Sequence, residues 1–330
     1  MSEAIYRLEE TVADEKWDAF VQKSPSGTLY SLADYMTATR QPVRLFWCVR
    51  GTEKRAAVCV TESADGQNAV LHDFLVYNGL MFAPRANKQN RSQIISEHFE
   101  IATDVAAALS ARYPQLELAL APQVDDIRPF LWHNYGTSPQ YSPDVRYTAY
   151  ADLQGFAEAK TPEEVPLFAE ISYARRQEVR KAIKAEVHTV EDDNALALAD
   201  FYALTMRRQD ISIDPEVHEA LRFLAESLLQ KKLARLFITR TAEGEAAAVA
   251  LFGWDAKRAY YLFGAGDPQY RNTPCGTAVL WDGFKALALA GHTQVDLEGV
   301  NSPKRGWFKM SFGPELVPYY QLTKIGEEKA

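Results

Sequence analysis

A strand-like run, VDLEGV (295–300), carries two carboxylates two residues apart, Asp296 and Glu298. A Gly/Asn/Ser/Pro turn follows, then an aromatic and basic stretch: Lys304, Arg305, Trp307, Phe308, Lys309 and Phe312, closed by Gly313-Pro314. Residues two apart on a strand share a face. A carboxylate at a strand end suits a general base that takes the proton of an amine nucleophile. A lysine beside it suits a developing oxyanion. The bland alternative is a loop that lays its aromatics on a sheet and keeps its lysines in water. A second constellation is the basic segment SYARRQEVRKAIKAEVH (172–188). Its Arg176, Arg180 and Lys184 lie four apart and so share one helical face, with Arg175 and Lys181 beside them. Such a row suits a phosphate or pyrophosphate, which guanidinium groups grip with paired hydrogen bonds. The alternative there is a solvated helix with Glu178 and Glu186 as partners.

A third segment, PQYRNTPCGTAVLW (268–281), lies between a predicted strand and a predicted helix. It resembles the Q/R-x-x-G-x-G/A loop of acetyl-CoA-dependent N-acyltransferases, whose backbone N–H groups and helix N-terminus hold a pyrophosphate. Arg271, Pro274 and Gly276 stand at its spaced positions, so one glycine is a proline that offers no N–H. Arg271, Gly276 and Thr277 are the candidate donor-binding residues, and an ordinary strand-to-helix turn is the alternative. Cys275, at the start of that helix, is placed where a thiol pKa is lowered, but no histidine stands near it in sequence to activate it. The six histidines are scattered, with no HxH or HExxH spacing, so no metal site is expected.

These groups sit in a chain of 330 residues, 47% hydrophobic and 24% charged, which is globular composition and long enough for two domains. The net charge of −8 disfavours non-specific nucleic-acid binding, leaving only a local basic patch for that purpose. Three cysteines without CxxC spacing argue against a disulfide framework. The acidic N-terminal stretch has no apolar run, and no segment approaches the length of a membrane span. A cytoplasmic protein is expected.

The elements that must position the candidate residues follow from pattern. Asp14 caps a helix carrying Trp17, Phe20 and Val21. Runs at 43–51, 55–63 and 69–84 read as an antiparallel meander, 98–113 as a helix, 116–122 as a strand, 125–136 as a short helix and 145–153 as a strand. Thr161-Pro-Glu-Glu164 opens a helix predicted to reach about His188. Asp193 or Asn194 opens the next. Asp214-Pro215 opens a third, with Val217, Leu221, Leu224 and Leu228 inward. Strands are predicted at 234–241, 245–254 and 258–266, a helix at 277–290 stopped by Gly291, and a strand at 293–300. Each half thus shows a meander, a helix and a further strand. The fold class is α/β (α+β) with mixed, mostly antiparallel sheets flanked by helices. The domains are 1–150 and 151–330, with the C-terminal tail free to pack on the first, and a cleft at their boundary is the expected place for a ligand.

Taken in order, the motifs resemble the FemAB/FemX family. Asp296 and Gly299 match its D-x-x-G strand, Phe308-Lys309-Met310-Ser311-Phe312-Gly313 its F-K-x-x-F-G signature, and Tyr319-Tyr320 the aromatic pair that follows. Arg176 to Ala182 resembles its R-x-x-x-R-K-A run. GTLYS (27–31), YNGLMFAP (77–84) and RYTAYADL (146–153) are similar too, so the likeness spans nearly the whole chain. It implies two tandem GNAT-like domains. The best-known members pass an amino acid from aminoacyl-tRNA to the peptide of a cell-wall precursor, and others are predicted acetyltransferases. It also implies that Lys309, with Phe308, stabilises the transition state and that Arg176 or Arg180 grips a phosphate. The chain departs in lacking the long paired-helix arm and in having Met310 where the signature has a second lysine.

The expected function is transfer of an acyl or aminoacyl group from acyl-CoA or aminoacyl-tRNA to the amine of a small-molecule or peptide-linked acceptor. Lys309 and Phe308 serve the oxyanion, Asp296 or Glu298 the proton, and Arg176, Arg180 and Lys184 a phosphate. No tightly bound cofactor is expected, and tRNA is disfavoured by net charge. The alternative is a non-catalytic binding module that keeps the fold.

Overall fold

The computed structural model describes residues 4–86 and 88–325; the side chain of Lys304, part of the basic cluster above, lies outside the described set. The chain divides into two compact units, 1–146 with 318–330, and 147–317.

The first unit opens with β1 (Arg7–Thr11), α1 (Glu15–Lys23) and α2 (Ala33–Thr39). Asp14 caps α1 by accepting from the Trp17 N–H at 2.8 Å. The meander follows as β2 (Val43–Arg50), β3 (Glu53–Glu62), β4 (Ala69–Val70) and β5 (Gly79–Phe82). The 69–84 run is therefore two strands, interrupted by a turn at His72–Leu75, with Gly79 at positive φ opening the second. α3 (Arg91–Arg112) begins seven residues before the predicted 98, because Asn90 and Gln93 form a reciprocal capping box. β6 (Leu116–Ala119) precedes α4 (Arg128–Leu131), which is only four residues long. Asn134 and Gly136, both at positive φ, end the segment predicted as a longer helix. The sheet runs β1-β2-β3-β4-β6, with β5 on β3. Its core includes Val58, Leu80, Val105, Leu109 and Leu118.

The second unit begins within β7 (Ser142–Asp152). The helix predicted from 161 to His188 is not continuous. Pro162–Glu164 is a single 3₁₀ turn, followed by α5 (Pro166–Glu170) and α6 (Tyr173–Lys184). Pro166 lacks an N–H and holds Val165 extended. Buried Ile171 is also extended, and Ser172 recaps the chain by accepting from the Arg175 N–H at 3.2 Å. Glu186, in the left-handed region, lets the Val187 N–H turn back to the Ala182 carbonyl. The chain then forms a strand that the pattern did not signal, β8 (His188–Asp192).

Asn194 caps α7 (Ala195–Arg207) and Asp214 caps α8 (Pro215–Gln230). Leu221, Leu224 and Leu228 are buried as predicted, but Val217, in the first turn, is 40% exposed. β9 (Ala234–Arg240), β10 (Ala246–Trp254) and β11 (Ala259–Gly266) form the predicted hairpins. α9 (Cys275–Leu289) follows and is stopped by Gly291 at positive φ. β12 covers only Gln294–Asp296, shorter than the predicted 293–300. The aromatic-basic stretch is a helix, α10 (Pro303–Met310), and not a loop; Pro303 stands at its start, where no N–H is needed. β13 (Glu315–Lys324) passes back into the first unit, where its 321–324 portion pairs with β6.

The second sheet runs β7-β12-β11-β10-β9-β8. Its core joins Phe252, Phe284, Trp281, Leu287, Val295 and Phe312. α9 lies close on β10 because Gly283 has no side chain: a Cβ there would come within 2.5 Å of the Phe252 ring. Helix propensity alone makes Gly→Ala stabilising by about 1 kcal/mol, whereas overpacking a core costs about 1–3 kcal/mol. We expect the clash to prevail. Gly283→Ala should lower the urea midpoint at unchanged m-value.

Candidate functional site in the second unit

β11 and β12 run parallel but pair only at Ala259↔Val295 and Tyr260↔Asp296. Beyond that point β11 continues to Gly266 alongside β10, whose partner register ends at Ala248↔Gly266. The chain after β12 instead follows β7: the Leu297 N–H bonds the Ala149 carbonyl at 2.8 Å, and Asn301 bridges the N–H and carbonyl of Tyr147 at 2.8 and 2.9 Å. Two neighbouring strands therefore separate, and their separation opens the sheet.

Asp296 and Glu298 stand where the strands part, and they differ. Asp296 is fully buried, and its Oδ1 accepts from the Thr148 hydroxyl and, at 2.8 Å, from the Glu298 N–H. It anchors the chain. Glu298 has left-handed backbone (φ 54), which a non-glycine residue adopts at a cost. Strand alternation therefore does not deliver both carboxylates, since the strand ends at Asp296. Glu298 is 6% exposed, and its buried Oε1 has no hydrogen-bond partner among the described residues. Burial raises its pKa to about 8, opposed by the positive charge of Lys309. Lys309, on the last turn of α10, is pushed the other way by the same burial, with Glu298 and then Asp296 holding its charge and Arg305 opposing it. Its ammonium donates to the Gly299 carbonyl at 3.4 Å.

Phe308 and the basic helix meet through Arg175. The Arg175 guanidinium lies 4.6 Å from the Phe308 ring centroid and 4.9 Å from that of Phe312. It donates to the Ser311 hydroxyl at 3.0 Å, to Glu178 and to the Thr277 hydroxyl. The Ser172 N–H bonds the Ser311 carbonyl at 2.9 Å. α6, α9 and α10 are thus tied at one point. Arg176 donates to the Ala169 and Ile171 carbonyls, Arg180 pairs with Glu163 at 2.9 Å, and Lys184 is exposed. The arginine at this junction is Arg175, its side chain 13% exposed, and the three predicted phosphate ligands lie outside it.

At the start of α9, Arg271 is exposed and a Cβ on Gly276 would meet nothing within 4 Å. The Thr277 hydroxyl donates to Glu178, and the Thr277 and Ala278 N–H groups turn back to the Pro274 carbonyl at 3.0 and 2.9 Å. Burial pushes the Cys275 thiol up, against the lowered value its position suggested, because the side chain faces the core.

A family model described as an acetyltransferase (GNAT) domain matches residues 169–305. No curated protein matches the chain in sequence. Among solved structures, FemX superposes with a TM-score of 0.66 at 15% identity, covering 96% of this chain and 97% of FemX. A tandem GNAT protein from the clavulanic acid biosynthesis pathway gives 0.56 at 11% identity, with 98% and 100% covered. L-PGS from Bacillus licheniformis gives 0.54 at 14% identity, with 96% and 94% covered. In fold, the chain is similar to FemX and to tandem GNAT proteins.

The GNAT match supports an acyltransferase and takes in Asp296 and Glu298, but it stops short of Phe308 and Lys309. The opening brings together Asp296, Glu298 and Lys309, while Arg271 and Gly276 follow the far end of β11 and Thr277 reaches Arg175. Thr148, Arg175 and Tyr261 also belong to the neighbourhood. Only Arg175 carried a sequence signal, as a member of the basic run.

Among the described residues no helix is long and apolar enough to cross a membrane.

A carboxyl whose pKa rises on folding favours the folded state fully below its ordinary value of 4.5 and loses that contribution as pH rises to about 8. Glu298→Gln should therefore gain stability relative to the parent chain between pH 5 and pH 8, measured by urea unfolding at each pH.

Proposed function

We propose that the chain transfers an acyl or aminoacyl group to an amine, with the chemistry at the opening between β11 and β12. The observation that carries this reading is the Glu298 carboxyl, buried with an oxygen that has no hydrogen-bond partner among the described residues, beside the half-buried Lys309. The acceptor amine gives its proton to ionised Glu298, and its lone pair attacks the acyl carbonyl carbon. The carbonyl electrons move onto oxygen, where the Lys309 ammonium stabilises the charge. Collapse of the intermediate breaks the bond to the leaving group, which departs with the proton held on Glu298. Phe308, against Arg175, fixes the turn of α10 that presents Lys309. Asp296 is assigned to holding the strand end and Glu298 to proton transfer, which chooses between the two carboxylates.

An acyl-CoA donor fits the GNAT fold, which generally uses that co-substrate. Arg271 and the open space over Gly276 support it, with Thr277 beside them. Aminoacyl-tRNA is the second reading, favoured by Pro274 and by Glu178 standing against Thr277, which leave fewer groups for a pyrophosphate. Arg180 and exposed Lys184, with Arg176, are the groups offered to a phosphate on either substrate. The acceptor class is a small molecule or a peptide-linked amine, and the setting is cytoplasmic.

With acetyl-CoA at 100 times its dissociation constant, binding adds about 2.7 kcal/mol of stability. A rise in melting temperature with acetyl-CoA but not with charged tRNA, lost in Arg271→Ala, supports the first donor; the reverse supports the second. In an active preparation, Lys309→Met should lower kcat by roughly 10²–10³. The pH profile of kcat/KM should rise through about 8 and lose that limb in Glu298→Gln. Ligand binding without turnover, indifferent to Lys309→Met, would leave a binding module in place of an enzyme.

A further inference from the structure

Tyr261 lies on β11 one residue past the last pair with β12. It is buried, with its ring 5.3 Å from that of Phe252 in the core. The Lys309 ammonium lies over the same ring, 5.3 Å from its centroid. The phenol runs along its own strand towards Gly264. An ideal Cβ on that glycine would fall 1.6 Å from the hydroxyl oxygen and 2.4 Å from the carbon that bears it. Gly264 is not in the left-handed region, so its backbone would accept any residue. The glycine is required by the phenol that occupies the volume of its missing side chain.

We propose that Tyr261, given room by Gly264, is a positioning residue that seats the Lys309 ammonium at the strand opening. The inference rests on the role given to Lys309 above. An ammonium over an aromatic face is attracted by the ring quadrupole. The groups that face Lys309 are Glu298 and Asp296, which attract it, Arg305, which repels it, and the Gly299 carbonyl, which accepts from it. To these the Tyr261 ring adds an aromatic face that favours the cation. A side chain with four rotatable bonds is thereby held by two contacts, the ring and the Gly299 carbonyl.

The test needs no substrate. Lysine carbons of the full chain are followed by ¹³C NMR against pH, with Lys309→Met assigning the Lys309 signal. Tyr261→Leu should move the Lys309 midpoint down by about half a pH unit, because the charged form loses its aromatic partner. Tyr261→Phe, which keeps the ring, should restore most of that shift. Gly264→Ala, which expels the phenol, should move the midpoint in the same direction as Tyr261→Leu, and it supplies the reading if the leucine variant does not fold. A midpoint unmoved in both Tyr261→Leu and Gly264→Ala overturns the proposal, as does a phenylalanine variant shifted as far as the leucine one. The shift is independent of turnover. If it appears while Lys309→Met leaves acyl transfer intact, the seat stands and the catalytic role of Lys309 falls.

Discussion

The candidate site depends on a parallel ladder that stops after two residue pairs. Had β11 and β12 remained paired to Gly266, the sheet would close at this point. Parting two strands leaves backbone groups to be satisfied elsewhere. The structure does so on the β12 side with the Leu297 N–H to Ala149, the Asn301 side chain on Tyr147, and Asp296 gathering the Thr148 hydroxyl and the Glu298 N–H. The left-handed backbone at Glu298 is the bend this arrangement imposes. A carboxyl thus ends up buried at the point of separation, where low polarity raises its proton affinity.

The opening is flanked by a second constraint, the largely covered guanidinium of Arg175. One group touches the first turn of α9 through Thr277, its own helix through Glu178, and α10 through Ser311, Phe308 and Phe312. Burial lowers the pKa of Arg175 and Glu178 opposes that fall. Covering most of such a charge is tolerable because its Nε and Nη1 donate to Ser311, Glu178 and Thr277 and two aromatic rings lie against it. The helix that carries Lys309 is short and amphipathic and would have little stability alone. Its position is set by this junction and by Phe312 in the core.

Much of the fold was legible because it rests on local chemistry. Asp14, Asn194 and Asp214 cap helices at their own positions, and Gly291 stops α9. The hairpins from Ala234 to Gly266 follow from β-prone runs between polar turns. The long helix from 161 failed because Pro166 and the extended Ile171 interrupt it, and β8 is a five-residue strand without an apolar run to mark it. Val217 kept helical spacing with Leu221, yet the first turn of α8 projects past the core that the later turns cover.

The sequence by itself determined which residue types were available for acyl transfer: carboxylates at 296 and 298, the Phe-Lys pair at 308 and 309, and a basic run from 175 to 184. It also determined most of the order of strands and helices, though not β8 or α10, since period and capping act over a few residues. Only the tertiary structure decided that Glu298 and not Asp296 has the carboxyl oxygen without a hydrogen-bond partner among the described residues, that Arg175 and not Arg176 joins the three helices, and that Tyr261 lies beneath Lys309. Each of these is a matter of burial and hydrogen-bond satisfaction between segments tens of residues apart. Proton affinity and the placement of a charge depend on that surrounding medium, which no local pattern encodes.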